Sequence, residues 1–335
     1  MDPIGSTSLS DSTIDVGFVG LGRIASILED DPLREKPATH AGAVTAHPRC
    51  RIAGGFDLLR ERREGFAKRW SVPVDSGIDQ LLARRPGILV IATDPDSHFL
   101  YLRTAVEAGI PVVVCEKPVA DRYGTARRMA RLERTTSTRI VVNHERRFSR
   151  DYQLARRAIV SGEMGTLLHV RGTLYFGATG RHDRVFLHDG THIVDTIHFL
   201  TDDLIRLKTR VGRYRTHRSS VFLHGILRNR QIPVEIEIGG ERNYLRFEVT
   251  LSFSDGEIRL GNGVFTWEKS RPSPHYSLYR SLINAEKRIP EPSGYFSGMI
   301  EEAVRLHDEP GASSASSLAD GAAAMRVIRD ARRLW

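Results

Sequence analysis

Cysteine is scarce: only Cys50 and Cys115 occur in 335 residues. That excludes a disulfide framework and makes a reducing cytoplasm the expected compartment. Long apolar runs are also missing, and none reaches the ~18 residues that would suggest a membrane span. The stretch from Met1 to Ser12 has neither the basic nor the apolar segment of a secretory leader. Its Ser, Asp and Thr content predicts a loose tail. Neither zinc-finger spacing nor an aromatic RNA-binding signature is found, and there is no internal repeat.

What remains is ordinary globular material. Hydrophobic residues make up 40% and charged residues 27%, enough apolar content for a sizeable core in two domains. The formal net charge is +8. The basic residues are dispersed, many beside acids, as in Leu59-Arg60-Glu61-Arg62-Arg63-Glu64, the pattern of solvated helix faces. An anionic cofactor with an anionic small substrate explains the surplus better than nucleic acid does.

Strand and helix signals alternate through the first half. Apolar runs at Val16–Val19, Arg51–Phe56, Ile88–Ala92, Val112–Cys115 and Arg139–Val142 are separated by helical patterns. These predict an α/β domain with a doubly wound parallel sheet over 13–143. After Arg150 the strands begin to alternate, as in Glu235-Ile236-Glu237-Ile238. This predicts an α+β domain over 144–317 with a large, mostly antiparallel sheet and a helix at about Gly190–Leu200. A last helix, 318–335, is expected to pack back on the N-terminal domain. Arg271 to Tyr279 reads as a lid or a subunit contact.

Gly20-Leu21-Gly22-Arg23-Ile24-Ala25 fits the G-x-G-x-x-G/A pattern after a strand. The first glycine permits the tight turn. The second lets backbone approach a pyrophosphate, and Ala25 allows close helix–strand packing. Asp57 closes the second strand, where an acid binds the adenosine ribose; a turn or cap aspartate is the alternative. Its distance from Ala25 exceeds the ~20 residues usual for this motif. Ser26 to Thr39, polar and holding Pro32 and Pro37, reads as an insertion. An acid at this place favours NAD over NADP, a preference that Arg60 and Arg62 soften.

Ala92-Thr93-Asp94-Pro95-Asp96-Ser97-His98, Glu116-Lys117-Pro118 and His188-Asp189-Gly190-Thr191-His192-Ile193-Val194-Asp195, in this order, resemble the glucose–fructose oxidoreductase, inositol dehydrogenase and MocA (Gfo/Idh/MocA) family. The resemblance covers nearly the whole chain. It implies an NAD-dependent oxidoreductase acting on a sugar, with Lys117 beside the nicotinamide and a Lys-Pro bond that is often cis. Thr93, Pro95 and His98 would line the cofactor, although His98 reads equally as a packed helix histidine. Glu116 would contact cofactor or backbone.

By the same resemblance His192 is the general base and acid, and an imidazole suits that work near neutral pH. Family members usually carry an aspartate four positions earlier, where this chain has His188. Either His188 supports His192 in place of that acid, or Lys117 and His192 suffice. A non-catalytic dinucleotide-binding regulator of the same fold is the competing reading. Asp195 is a structural residue or orients His192. A zinc site on His188, His192 and Asp195 is weighed and set aside, because no further ligand cluster accompanies them. Asn143, Arg147, Arg181 and Asp189 are the candidate substrate contacts. With Arg146, Arg171 and Arg184 they suggest an anionic sugar, such as a nucleotide sugar. A homodimer or homotetramer through the second sheet is expected.

Overall fold

Ile88–Ile91 and Val112–Cys115 show no polar alternation, so such strands need cover on both faces. In the computed structural model they form the middle of a parallel sheet. The structure describes residues 12–177, 182–212, 220–240, 242–286 and 293–334, with backbone alone at 182–184 and 285–286. The strands are β1 (Ile14–Val19), β2 (Cys50–Phe56), β3 (Val74–Asp75), β4 (Ile88–Ile91), β5 (Val112–Cys115) and β6 (Arg139–Val142). Their order is β3-β2-β1-β4-β5-β6, with every pairing parallel. Every residue of β4 and β5 is buried. The order reverses beside β1, and ligands of such sheets bind outside the carboxyl ends of the strands at that point.

The second sheet is β7 (Leu167–Phe176), β8 (Ile205–Val211), β9 (Ser220–Leu227), β10 (Pro233–Gly239), β11 (Leu245–Phe253), β12 (Gly256–Gly261), β13 (Val264–Pro272) and β14 (Arg280–Glu286). Its order is β14-β13-β12-β11-β7-β10-β9-β8, antiparallel except where β10 meets β7. Val170, Leu174, Ile236, Val249 and Leu251 point into a core shared with the helix Gly190–Thr201. His169, Arg171, His224, Glu235 and Glu237 lie on the opposite face, around a hollow of about 630 Å³. Arg271 to Tyr279, expected as a lid or subunit contact, is the end of β13 and the turn into β14.

The described residues divide into two compact units. The first draws on Met1–Ala120, Arg128–Asn143 and Phe296–Leu318; the second draws on Asp121–Arg127, His144–Tyr295 and Ala319–Trp335. This differs from the expected boundaries in three places, the first being Asp121–Arg127, which falls in the second unit. The helix Tyr295–Asp308 contributes to the first unit, where Met299, Ile300 and Ala303 are buried and Asp308 takes a two-pronged bond from Arg49 (2.5 and 3.0 Å). The last helix, Leu318–Arg333, packs in the second unit. Its Ala324, Val327, Ile328 and Ala331 join that unit's core. An amphipathic pattern tells a helix which face to bury but not which sheet will cover it.

Candidate functional site

Beyond Val19 the chain must turn at once. Gly20 takes φ +86°, and a Cβ there would lie 2.7 Å from the Ala92 carbonyl group and 2.8 Å from the Thr93 side chain. Only glycine satisfies both demands. At Gly22 a Cβ would make ordinary contact with the Arg62 guanidinium, at 3.6 Å from Nη1, and meet nothing closer. A single helical turn follows, with the Ser26 amide donating to Gly22 O (3.1 Å). The chain then departs through the 3₁₀ turn Ile27–Asp30. It returns where the His40 amide donates to Ile24 O (3.2 Å) and the Ala41 amide to Ala25 O (2.9 Å), opening the helix His40–Ala46. The helical ladder thus resumes across a looped-out segment, 26–39. Removing that segment restores the ~20-residue spacing between turn and acid.

The loop is held at several points. Glu29 accepts from the Ala38 amide (3.0 Å) and from Thr39 Oγ1 (2.7 Å), while Thr39 Oγ1 accepts from the Gly42 amide (3.1 Å) as the helix cap. Trp70 Nε1 donates to Ser26 Oγ (2.8 Å), and Arg69 pairs with Asp30.

Asp57 is buried at the end of β2. Its Oδ2 accepts from the Leu21 amide (2.9 Å) and its Oδ1 from the Leu59 amide (2.9 Å). It therefore ties the glycine turn to the second strand, with Arg62 3.5 Å away. Arg23 is exposed and Ile24 partly buried.

Thr93 and Pro95 are partly buried on the loop after β4. His98 is fully buried, with Nε2 3.0 Å from Thr93 O and Nδ1 3.3 Å from Val119 O. Burial holds this imidazole below its ordinary pKa. Its ring is a strut between two loops, the packed histidine of the two readings. At the end of β5, Glu116 Oε2 accepts from the Lys117 amide (3.1 Å). Lys117 is partly buried and precedes a cis bond to Pro118. Asn143, expected at the substrate, is buried, and its Nδ2 donates to Glu116 Oε1 (2.6 Å).

In the second unit the helix signal splits. His182–His188 and Gly190–Thr201 are separated by the single residue Asp189, which itself keeps a right-handed helical conformation (φ −100°, ψ −29°). Both His188 and Asp189 are partly buried. His192 is buried, with Nε2 2.9 Å from Arg146 Nη1 and 3.4 Å from Glu145 Oε1. A guanidinium only donates, so that Nε2 accepts and carries no proton in this arrangement. Arg146 lies 3.5 Å over the Phe247 ring and donates to Asn262 Oδ1 (2.9 Å).

Arg147, expected at the substrate, is buried with Asp195. Its Nε and Nη2 donate to that carboxylate at 2.9 and 2.7 Å, and Asp320 is 3.3 Å away. Burial alone would raise the Asp195 pKa, but Arg147 and His144 hold it down at about 2. Arg171 pairs with Glu235 (3.1 Å) on the outer face of the second sheet. Arg181 lies outside the described residues, as do the side chains of Asp183 and Arg184. His40, Glu145 and Asn262 were not anticipated. His40 had one signal, its place where the interrupted helix resumes; Glu145 and Asn262 had none beyond adjacency to Arg146 and to a hairpin turn.

Residues 14–144 match the Gfo/Idh/MocA family model, an oxidoreductase family with an NAD-binding Rossmann fold. Inositol 2-dehydrogenase of Leifsonia xyli is 40% identical over 95 residues, 28% of either chain. The chain spans under half the length of the curated relatives it matches. Among solved structures, a putative myo-inositol dehydrogenase from Sinorhizobium meliloti superposes with TM-score 0.77 at 20% identity, covering 96% of this chain and 97% of the other. GenD2 from gentamicin A biosynthesis, solved in complex with NAD, gives TM-score 0.76 at 18% identity over 100% and 97%. These two likenesses show the shared fold. Among the described residues no helix is long and apolar enough to cross a membrane.

Proposed function

From the match of residues 14–144 to the Gfo/Idh/MocA oxidoreductase family model, we propose that the chain is an NAD-dependent dehydrogenase. It interconverts a secondary hydroxyl and a ketone on a sugar or cyclic polyol, an anionic sugar such as a nucleotide sugar included. The observation that carries this reading is the Gly20 turn, where a positive φ and the close approach of Ala92 and Thr93 leave no room for a side chain, in the same unit as Lys117.

NAD fits these residues. Gly22 leaves room for a pyrophosphate, Arg23 and Ile24 flank it, and Asp57 stands where ribose hydroxyls are bound. Thr93 and Pro95 line the nicotinamide end. When bound, NAD supplies the acceptor for the hydrogen and electron pair removed from the substrate carbon. The Lys117 ammonium stabilises the developing alkoxide. His192 takes the hydroxyl proton on its unprotonated Nε2, with the substrate hydroxyl displacing Arg146 from that lone pair. His188 supports His192 where relatives carry an acid. Asp189 and Arg181 are the proposed substrate contacts. The outer face of the second sheet is the proposed contact of a homodimer or homotetramer, and the cytoplasm is the proposed compartment.

The test is NAD reduction followed by absorbance across inositols, sugars, sugar acids and nucleotide sugars. Turnover is expected with at least one of them, and more efficiently with NAD than with NADP. NAD binding without turnover on any substrate would overturn the enzyme in favour of a dinucleotide-binding regulator.

A further inference from the structure

One buried histidine of the first unit has no part in that chemistry. His40 is fully buried at the head of its helix, edge-on to the Phe296 ring with centroids 5.2 Å apart. Its Nε2 lies 2.6 Å from Glu116 Oε1, the same oxygen that accepts from Asn143 Nδ2 at 2.6 Å. The other oxygen, Oε2, accepts from the Lys117 amide. Glu116 is 6% exposed, and a buried carboxylate persists only when such donors surround it.

Burial by itself would raise the Glu116 pKa. The hydrogen bond and charge of His40, followed by Asn143 and Lys117, outweigh it and keep the group below its usual range. His98 is a further titratable neighbour that senses this charge. Among the described residues, His40 Nδ1 and Asn143 Oδ1 are buried without a hydrogen-bond partner. The ring and the amide are therefore oriented through their bonds to Glu116.

What places His40 is the looped-out segment. Glu29 holds Thr39, and Thr39 caps the helix that begins at His40. A continuous run of contacts leads from the insertion through His40 and Glu116 to the Lys117 backbone.

We propose that His40 is a positioning residue for Lys117. Through Glu116 it fixes the backbone from which Lys117 projects. The inference rests on the reading of Lys117 as the residue at the reacting hydroxyl.

The experiment compares wild type with His40→Phe, which removes the donor, and His40→Gln, whose amide nitrogen replaces Nε2. Acylation of Lys117 by an amine-selective reagent, in the NAD-free protein at pH 8, is read by peptide mass spectrometry. Circular dichroism verifies folding. His40→Phe should speed Lys117 acylation about threefold or more, because Glu116 loses one anchor and the backbone from which Lys117 projects loosens. It should lower kcat about tenfold with KM within about twofold, because the lysine is misplaced. His40→Gln should restore both. Should His40→Phe fail to fold, His40→Asn, too short to reach Glu116, replaces it with the same expectations. Wild-type acylation in the folded Phe or Asn variant would overturn the proposal. So would changes that Gln does not reverse. A wild-type protein that turns over nothing overturns the dehydrogenase reading alone, since the acylation measurement needs no turnover.

Discussion

The two sheets carry their polar residues in opposite ways. β4 and β5 are buried on both faces, so the polar groups of the first unit gather at strand ends: Asp57, Thr93, Glu116 and Asn143. The second sheet is buried on one face only, and charged residues from His169 to Glu248 spread over the other. A sheet covered twice has only its ends for chemistry, whereas a sheet covered once offers a surface. The difference also separates two kinds of charge. Glu116, Asp195 and Arg147 are buried and locked by short bonds; Glu235 and Arg171 are solvated.

Substitutions sharpen this contrast or break it. Arg147→Met leaves Asp195 buried without its guanidinium and should cost about 3–5 kcal/mol in denaturant unfolding. A loss below about 1 kcal/mol would mean that the pair is solvated after all. Lys117→Met should lower kcat about 10²–10³-fold, with an unchanged melting temperature. A fall in melting temperature instead would make Lys117 a structural residue like Arg147.

The third effect is a pH dependence. His198 is buried, its Nε2 accepts from the Ile205 amide (3.0 Å), and burial lowers its pKa from 6.5 to about 4. The unfolded chain therefore binds a proton between pH 6.5 and 4 that the folded one refuses. Stability is complete above pH 6.5 and falls by up to about 3 kcal/mol as pH drops toward 4. Asp195 has the other window: its contribution holds above pH 3.8 and is lost as pH falls toward 2. Urea midpoints at pH 7, 5 and 4 check the first, and a flat profile would refute it. The smallest effect is expected from Glu235→Gln, below about 1 kcal/mol, because its partner Arg171 is exposed. A loss comparable to that of Arg147→Met would erase the distinction between the two faces.

Much of the first unit was legible because its signals are local. Uninterrupted Val and Ile runs require double cover, and a glycine turn after a strand requires a positive φ. The insertion was visible as a polar segment with prolines. Its consequence, a helix ladder spliced from Ala25 to Ala41, needed the folded chain. β13 and β14 went unseen because Ser, Arg and Pro interrupt their alternation. The helix from Gly190 was foreseen, but not the short helix His182–His188 that leads into it.

By itself, then, the sequence determined the alternation of strand and helix in the first unit, the parallel sheet, the glycine turn and the likeness to the family model. Each follows from residues close together along the chain, where sterics and periodicity act. Tertiary structure alone decided that Arg147 holds Asp195, that Asn143 bonds Glu116, and that residues 296–318 complete the first unit. Those outcomes depend on which buried charge finds which partner across long stretches of sequence. No local pattern records that choice, because desolvation and pairing are settled only once the chain has closed around them.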